Sequence, residues 1–405
     1  MASTIFDASD STIDKTCATM PLSESILSVL RELLPQQRPI GLHEPNFGER
    51  EKALILNCLE SGWVSSVGQY VDQFEKDLAV YTGIPHAVAT VNGTAALHTC
   101  LILAGVVAND EVLLPALTFI GSANPVIYQG ATPHFVDCES DTLGIDPRQL
   151  DDYLKNIAEL RNGTCYNRNT GRIIRALLVV HVLGHPARME ALAEIAERYK
   201  LTLIEDAAES LGSWRNNRHT GSWGHLAALS FNGNKIITCG GGGAVLTADP
   251  ELARRAKHLT TTAKQPHPWG FNHDAVAYNY RLPNLNAALG CAQLEKLPQQ
   301  LEQKRHLASM YAEAFSGISN VSLHSEPADC RSNYWLNLLL LPSAKERDQL
   351  LSLAHAEGIQ LRPFWSPLHL QPMFATAPHM PLPETEFLFS RGVCLPSSAI
   401  LAGEM

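Results

Sequence analysis

The sequence lacks an excess of positive charge, because 31 Lys and Arg face 41 Asp and Glu and leave a formal net charge of −10. Phosphate backbones and anionic lipid surfaces repel an acidic chain of this kind, which argues against non-specific binding to nucleic acid or to a membrane surface. No apolar run reaches the roughly 18 residues that a membrane-spanning helix needs. We therefore expect neither nucleic acid nor membrane as a partner.

Closely spaced cysteine pairs are also missing. The nine cysteines are scattered, and no two of them form a Cys-x-x-Cys pattern, so the sequence predicts neither a disulfide framework nor a zinc site. The N-terminal residues 1–20 carry acidic side chains and no continuous apolar stretch, which argues against a secretory signal. Together these features favour a cytoplasmic location and no bound metal.

The 405 residues, of which 45% are hydrophobic, are enough for two or three domains with a large core. We expect an N-terminal extension over 1–38, a large α/β domain over 39–284, and a linking helix with a small C-terminal α+β domain over 285–405. The strands predicted in the middle region are 111–115, 133–137, 175–181, 201–205, 227–232 and 243–247. Helical patterns separate them, which predicts a mainly parallel sheet with helices on both faces.

Two charged residues follow predicted strands of this region. Asp206 comes after the apolar run Leu201–Ile204, and open parallel sheets bind ligands at the carboxyl ends of their strands. Lys235 stands on a short turn before the glycine run 240–243, where partial desolvation makes an amine more nucleophilic. Taken alone, the carboxylate could cap a helix, the lysine could lie on the surface, and the glycines could form a flexible turn.

A helix start and an aromatic residue complete the set. Asn92, Gly93, Thr94 and Ala95 lie where a strand passes into a helix, and the free amide groups of such a start, with a threonine hydroxyl, suit a phosphate. Phe119 follows another predicted strand end. A phosphate site, a carboxylate, a nucleophilic lysine and a flat apolar face are the four features that pyridoxal phosphate needs.

Five segments resemble, in their order, the DegT/DnrJ/EryC1/StrS family of pyridoxal-phosphate-dependent nucleotide-sugar aminotransferases. They are NGTAALH, LPALTFIGSANPVIYQGATPHFVD, IEDAAESLGS, SFNGNKIITCGGGGAVLT and YNYRLPNLNAALGCAQLE. The resemblance covers about residues 40–400 and implies fold type I and a homodimer with shared active sites. The segment HLTTTAKQPHPWGFNHDAVAYNYRLPNLNAALG is most similar to the LegC-type branch, whose members aminate the C4 keto carbon of a UDP-linked 4-keto-6-deoxy amino sugar.

The resemblance implies a role for each matching residue. Lys235 corresponds to the lysine that binds the cofactor covalently and later moves a proton, and Asp206 corresponds to the carboxylate that pairs with the pyridine nitrogen. Phe119 corresponds to the aromatic residue that stacks on the cofactor ring. The residues that match phosphate contacts are Gly93, Thr94, Ala95 and Ser230, with Asn279 and Arg281 supplied by the other subunit.

Two further residues are candidates for binding the substrate. Glu209 departs from the family pattern, in which glutamine or histidine lies close to the 3-hydroxyl oxygen of the cofactor. A carboxylate near a phenolate is repelled unless one of them is protonated, so Glu209 is a candidate ligand of the substrate as well as of the cofactor. His369 could contact the sugar nucleotide or pack at the edge of the small domain, and the sequence favours neither.

These features predict an aminotransferase that moves an amino group, by family analogy from L-glutamate, to a nucleotide-linked keto sugar. Dehydratase-type members of the family carry histidine at the position of Lys235, so the lysine favours amino transfer. The alternatives are a pyridoxal-phosphate-dependent dehydratase or lyase on the same fold and a non-catalytic regulator that binds the cofactor.

Overall fold

The computed structural model describes residues 20–403. The α-helices in this part of the chain are α1 (Leu22–Leu33), α2 (Glu49–Ser61), α3 (Gln69–Thr82), α4 (Gly93–Leu103), α5 (Asn124–Tyr128), α6 (Pro147–Ile157), α7 (Met189–Tyr199), α8 (Pro250–Thr260), α9 (Asn284–Phe315), α10 (Ala344–Ala356) and α11 (Pro383–Arg391). The β-strands are β1 (His86–Thr90), β2 (Glu111–Pro115), β3 (Thr132–Val136), β4 (Ala158–Arg161), β5 (Thr164–Asn167), β6 (Ile174–Val180), β7 (Thr202–Asp206), β8 (Trp214–Arg215), β9 (Arg218–His219), β10 (Leu226–Ser230), β11 (Gly243–Thr247), β12 (Ser322–Leu323), β13 (Cys330–Arg331), β14 (Asn337–Leu340), β15 (Arg362–Pro363) and β16 (Gly392–Leu395). The six strands predicted in the middle region are confirmed to within two residues at each end.

One seven-stranded sheet, in the order β1-β11-β10-β7-β6-β2-β3, forms the centre of the molecule. The strands from β10 to β3 pair in parallel, whereas β11 runs antiparallel to both of its neighbours. A second sheet, β12-β14-β16-β15, is antiparallel throughout. We call this second sheet and the helices packed on it the small C-terminal unit.

Alternate residues of the central strands enter two different hydrophobic cores. Ala228 on β10 and Val245 on β11 belong to a cluster that includes residues of α4. Their neighbours Ala227 and Leu246 belong to a second cluster, with residues of α3 and α9. Since successive side chains of a strand point to opposite faces, helices cover the sheet on both sides, as the alternating pattern predicts.

The helical pattern that follows the predicted strand 133–137 extends over 147–160, and this predicted helix is too long. Helix α6 ends at Ile157, and the chain continues into the antiparallel hairpin β4–β5. The turn of this hairpin contains Asn162 at φ 51° and Gly163 at φ 79°, a left-handed conformation that favours asparagine and glycine. This Asn-Gly pair is the signal in the sequence that would have corrected the prediction.

Helix α1 packs into the small C-terminal unit, although it precedes the large sheet in the sequence. Ile26, Leu27 and Leu30 are fully buried in a cluster with residues of α9, α10 and the antiparallel sheet. Arg31 forms ion pairs with Glu24 and with Glu357, just after α10. The described part of the predicted extension is therefore a core helix, while residues 1–19 lie outside the described residues.

Leu30→Ala is expected to lower the free energy of unfolding of the small unit by about 2–5 kcal/mol, because it leaves a cavity beneath α1. The matched control is Glu32→Ala, which removes an exposed side chain from the same helix and should change that free energy by less than about 0.5 kcal/mol. Urea unfolding followed by circular dichroism measures both variants. Equal effects would contradict the packing of α1.

Candidate active site

A cavity of about 290 Å³ lies at the carboxyl edge of the parallel strands, where open α/β sheets bind ligands. Seven of the predicted site residues line it, namely Gly93, Thr94, Phe119, Asp206, Glu209, Ser230 and Lys235. They come from segments after four different strands, so only the folded sheet brings them together.

Asp206 ends β7 and is buried in the floor of this cavity. One carboxylate oxygen, Oδ2, accepts a hydrogen bond from Ser122 Oγ at 2.7 Å, and the other, Oδ1, accepts one from the Ala208 N–H at 3.1 Å. Burial raises the pKa of Asp206, and these two bonds partly oppose that shift. A cationic donor placed against this carboxylate would favour its charged form.

The start of α4 forms one wall. Asn92 caps the helix, and its Oδ1 accepts the N–H of Ala95 at 2.8 Å. The N–H groups of Gly93 and Thr94 belong to the first turn, which has no partners within a helix, and they suit an anion. Ala95 does not line the cavity and its N–H is bonded to Asn92, so a contact between Ala95 and a phosphate stays a prediction that this geometry does not support.

Two glycines allow the surrounding backbone to approach the helix start. A Cβ atom on Gly93 would lie 2.8 Å from Cβ of Ser230, and one on Gly243 would lie 2.5 Å from the carbonyl of Asn92. Gly243, the last glycine of the run after Lys235, is therefore a close backbone contact. It closes the loop that presents Lys235 beside the start of α4.

The amine of Lys235 faces a second buried carboxylate. Its Nζ lies 3.3 Å from Glu209 Oε1, and the two side chains are 12% and 6% exposed. The other carboxylate oxygen, Oε2, accepts the N–H of Leu183 at 2.9 Å. Burial raises the pKa of Glu209 to about 7, although Lys235 and the Leu183 N–H act in the opposite direction. Near neutral pH this carboxyl group can therefore both hold and release a proton beside the amine.

Aromatic side chains form the remaining walls. Phe119 is 57% exposed and offers a free ring face at the cavity. Trp335 and Trp365 also line the cavity, with ring centroids 6.4 Å apart and planes at 26°. Neither tryptophan is among the site residues predicted from the sequence. The apolar run NYWLNLLLL at 333–341 is typical of a buried strand, which gives no signal that Trp335 lines a cavity. Strand β14 begins only at Asn337, and the residues before it form a turn.

Besides Ala95, three predicted site residues do not line the cavity of their own chain. Asn279 forms a β-bridge with Thr261, and Arg281 forms one with Thr90. Neither lines the cavity. His369 lies 3.5 Å from Glu386 and packs on the ring of His379. Packing at the domain edge therefore describes His369, and the structure does not support its contact with a sugar.

The part of the chain that the structure describes contains neither a candidate metal site nor a candidate membrane-spanning helix. Within residues 20–403, no group of three or more His, Cys, Asp or Glu side chains is arranged to hold a metal ion. No helix in the same part of the chain combines the length and the apolar character that crossing a membrane requires.

The cavity offers what pyridoxal phosphate requires: a buried carboxylate without a bonded cation, a glycine-lined helix start, an amine and a free aromatic face. Together with the mainly parallel sheet, this site defines a pyridoxal-phosphate-dependent enzyme of fold type I. The family model described as the DegT/DnrJ/EryC1/StrS aminotransferase family matches residues 45–405, and the chain belongs to that family.

Individual relatives agree with this assignment. GDP-perosamine synthase of Escherichia coli O157:H7 is 34% identical over 365 residues, which cover 90% of this chain and 95% of that protein. The structure of a DegT DnrJ EryC1 StrS aminotransferase from Brucella abortus is 32% identical, with a TM-score of 0.79 over 86% of this chain and 90% of that chain. DesI, solved in the presence of its TDP-sugar product, is 28% identical, with a TM-score of 0.78 over 91% of each chain.

Glu209→Gln is expected to gain stability relative to the wild type as the pH rises from about 5 to about 8. The pKa of Glu209 in the folded protein, about 7, lies above the usual value of 4.5. The protonated carboxyl therefore stabilises the fold at low pH, and this contribution is lost as the pH rises through 7. The neutral amide loses nothing over the same range.

Urea-unfolding midpoints of the cofactor-free proteins at the two pH values measure this effect. The exposed Glu32→Gln is the control, and its midpoint should differ from that of the wild type by the same amount at both pH values. A pH-independent difference between Glu209→Gln and the wild type would show that the Glu209 carboxyl does not titrate in this range.

Proposed function

We propose that this protein transfers an amino group from L-glutamate to the C4 keto carbon of a UDP-linked 4-keto-6-deoxy amino sugar. The observation that carries the proposal is the buried amine of Lys235, held 3.3 Å from Glu209 in the cavity that also contains Asp206. The relatives named above act on or bind sugars carried by GDP and TDP, which supports a nucleotide sugar. The choice of UDP rests on the likeness of the segment around Asn279 to the LegC-type branch.

The same cavity would hold the cofactor through residues of this chain. Lys235 would attach to its aldehyde, Asp206 would hold the proton of the pyridine nitrogen, and Phe119 would cover one face of the ring. The phosphate would lie at the N–H groups of Gly93 and Thr94 with the hydroxyl of Ser230. When bound, pyridoxal phosphate supplies the electron sink for breaking a bond to hydrogen on the donor carbon.

The proton chemistry then belongs to Lys235 and Glu209. The amine of Lys235 would act as the base that moves the proton, and the Glu209 carboxyl, 3.3 Å from it, can take up or return that proton. Histidine at position 235 could not attach to the aldehyde. The amine therefore favours amino transfer over the dehydratase or lyase alternative.

A cytoplasmic location fits the cysteines. All eight cysteines within residues 20–403 are buried and unpaired, which suits a reducing compartment.

The purified enzyme is expected to transfer nitrogen from [15N]glutamate to a 4-keto-6-deoxy sugar nucleotide, most rapidly with UDP as the carrier. Mass spectrometry of the products from parallel UDP-, GDP- and TDP-linked ketones measures the transfer. Lys235→Ala should abolish both the transfer and the cofactor label that borohydride fixes on the protein.

A different experimental result would contradict each part of the proposal. Faster amination of a GDP- or TDP-linked ketone would overturn the carrier and leave amino transfer standing. A deoxygenated product without 15N would favour the dehydratase alternative. Equal 15N transfer by Lys235→Ala and the wild type would remove the proposed role of the lysine.

We further propose a homodimer with shared active sites. Asn279 and Arg281 do not line the cavity of their own chain. The loop before them exposes the large apolar side chains of Trp269 (82%) and Val276 (93%). A neighbouring apolar surface on a second copy would cover these side chains. Arg281 could then reach the phosphate in the partner's cavity.

Mixing inactive Lys235→Ala subunits with inactive Asn279→Ala/Arg281→Ala subunits is expected to restore activity. One site of each hybrid dimer receives the intact lysine from one chain and the intact Asn-x-Arg pair from the other, while the second site receives both defects. Each hybrid dimer should approach half of the wild-type activity. No recovery, once subunit exchange and folding have been verified, would mean that each chain completes its own site.

A further inference from the structure

Trp335 connects the small C-terminal unit to the amine of Lys235. Its ring centroid lies 4.0 Å from Lys235 Nζ, and its indole Nε1–H donates to the carbonyl oxygen of Asn234 at 2.7 Å. One side chain therefore contacts both the amine and the backbone directly before the lysine. The amine lies between this ring and the carboxylate of Glu209.

The backbone of Trp335 is held as firmly as its side chain. Its N–H donates to Asn333 Oδ1 at 2.8 Å, and its carbonyl accepts Lys304 Nζ at 3.1 Å. Lys304 is buried and uses its amine on backbone carbonyls of Trp335 and Ser397. Tyr334, just before Trp335, has φ 46°, a costly conformation for a bulky residue that persists only where its surroundings enforce it.

The same short segment also holds Glu209. Asn333 Nδ2 donates to the carbonyl of Glu209 at 2.8 Å and to that of Leu211 at 2.9 Å. Asn333 and Trp335 thus fix the two backbone segments that carry the carboxylate and the amine. The ring and the indole N–H of Trp335 therefore both act on the segment that carries Lys235.

We propose that Trp335 is a positioning residue that directs the amine of Lys235 toward the cofactor aldehyde, an inference that rests on the proposed attachment of the cofactor to this lysine. A free lysine side chain samples many rotamers, and confining it to one costs conformational entropy. A ring face over the ammonium and a carboxylate beside it confine the amine before the cofactor arrives. Glu209, 3.3 Å away, would take the proton of the ammonium. The neutral amine would then condense with the aldehyde carbon, whose oxygen leaves as water, and prior orientation accelerates this reaction.

The test compares two ligands on the cofactor-free full-length protein. Pyridoxal phosphate forms a covalent link with a lysine, and stopped-flow absorbance follows the rate of attachment. Pyridoxamine phosphate lacks the aldehyde, so its affinity reports on the cavity without the lysine link. Trp335→Leu is expected to slow attachment about tenfold or more and to leave the affinity for pyridoxamine phosphate within about twofold.

Two further variants sharpen the comparison. Trp335→Phe keeps a ring and most of the volume but loses the N–H bond to Asn234, so attachment should slow about threefold, within the usual worth of one hydrogen bond. This variant carries the test if Trp335→Leu does not fold. The matched control is Trp223→Leu, which removes a ring 3.8 Å from Arg218 outside the cavity and should leave the attachment rate unchanged.

The possible results separate this inference from the proposed function. Borohydride reduction and peptide mapping of the wild type should place the label on Lys235. A label on another lysine would overturn the role of Lys235, and the inference with it. A label on Lys235 with unchanged attachment rates in the Trp335 variants would overturn the inference alone. Equal losses of attachment rate and pyridoxamine phosphate affinity would reduce Trp335 to a structural residue and also overturn it.

Discussion

The active site depends on keeping an amine and a carboxylate together in a place with little water. Burial penalises the charged forms of both Lys235 and Glu209, so the contact between them at 3.3 Å must be held by the rest of the fold. The Glu209 carboxylate accepts a hydrogen bond from the Leu183 N–H, and its pKa is raised to about 7. The amine of Lys235 packs against the ring face of Trp335. The loops around the cavity keep these contacts in place.

The parallel sheet supplies the first level of this support. Strands β7 and β10 are neighbours, with Ala228 paired to Asp206, and the Ala207 N–H donates to the Ala228 carbonyl at 2.9 Å. This register fixes the end of β7, which carries the carboxylate, relative to the end of β10, which leads to Lys235. The sheet register therefore sets the distance between the two functional segments.

The strands of this sheet are predictable because their apolar patterns are local in the sequence. The site features that the sequence did not predict depend on long-range contacts. Apolar runs bounded by turns placed β7 and β10 within two residues, and Asp206 and Lys235 follow from those strands. The Trp335 indole bonds to Asn234 across 101 residues of sequence, and no periodicity reports such a contact. The cap at the start of α4 is likewise visible only in the folded structure, where Asn92 accepts the N–H of Ala95.

The loop after β6 connects the large sheet region to the segment that carries Trp335. Gly184 at φ 93° leaves no room for a side chain, because a Cβ there would lie 1.9 Å from Asn333 Oδ1. Its carbonyl accepts the hydroxyl groups of Ser213 and Ser332, one from the large sheet region and one from the segment that leads to Trp335. The neighbouring Leu183 N–H holds Glu209. A displacement of the small C-terminal unit would therefore move the ring over Lys235 and disturb the loop that holds Glu209 at the same time. The contacts that hold the amine and those that hold the carboxyl group therefore depend on the same segment, Ser332–Trp335.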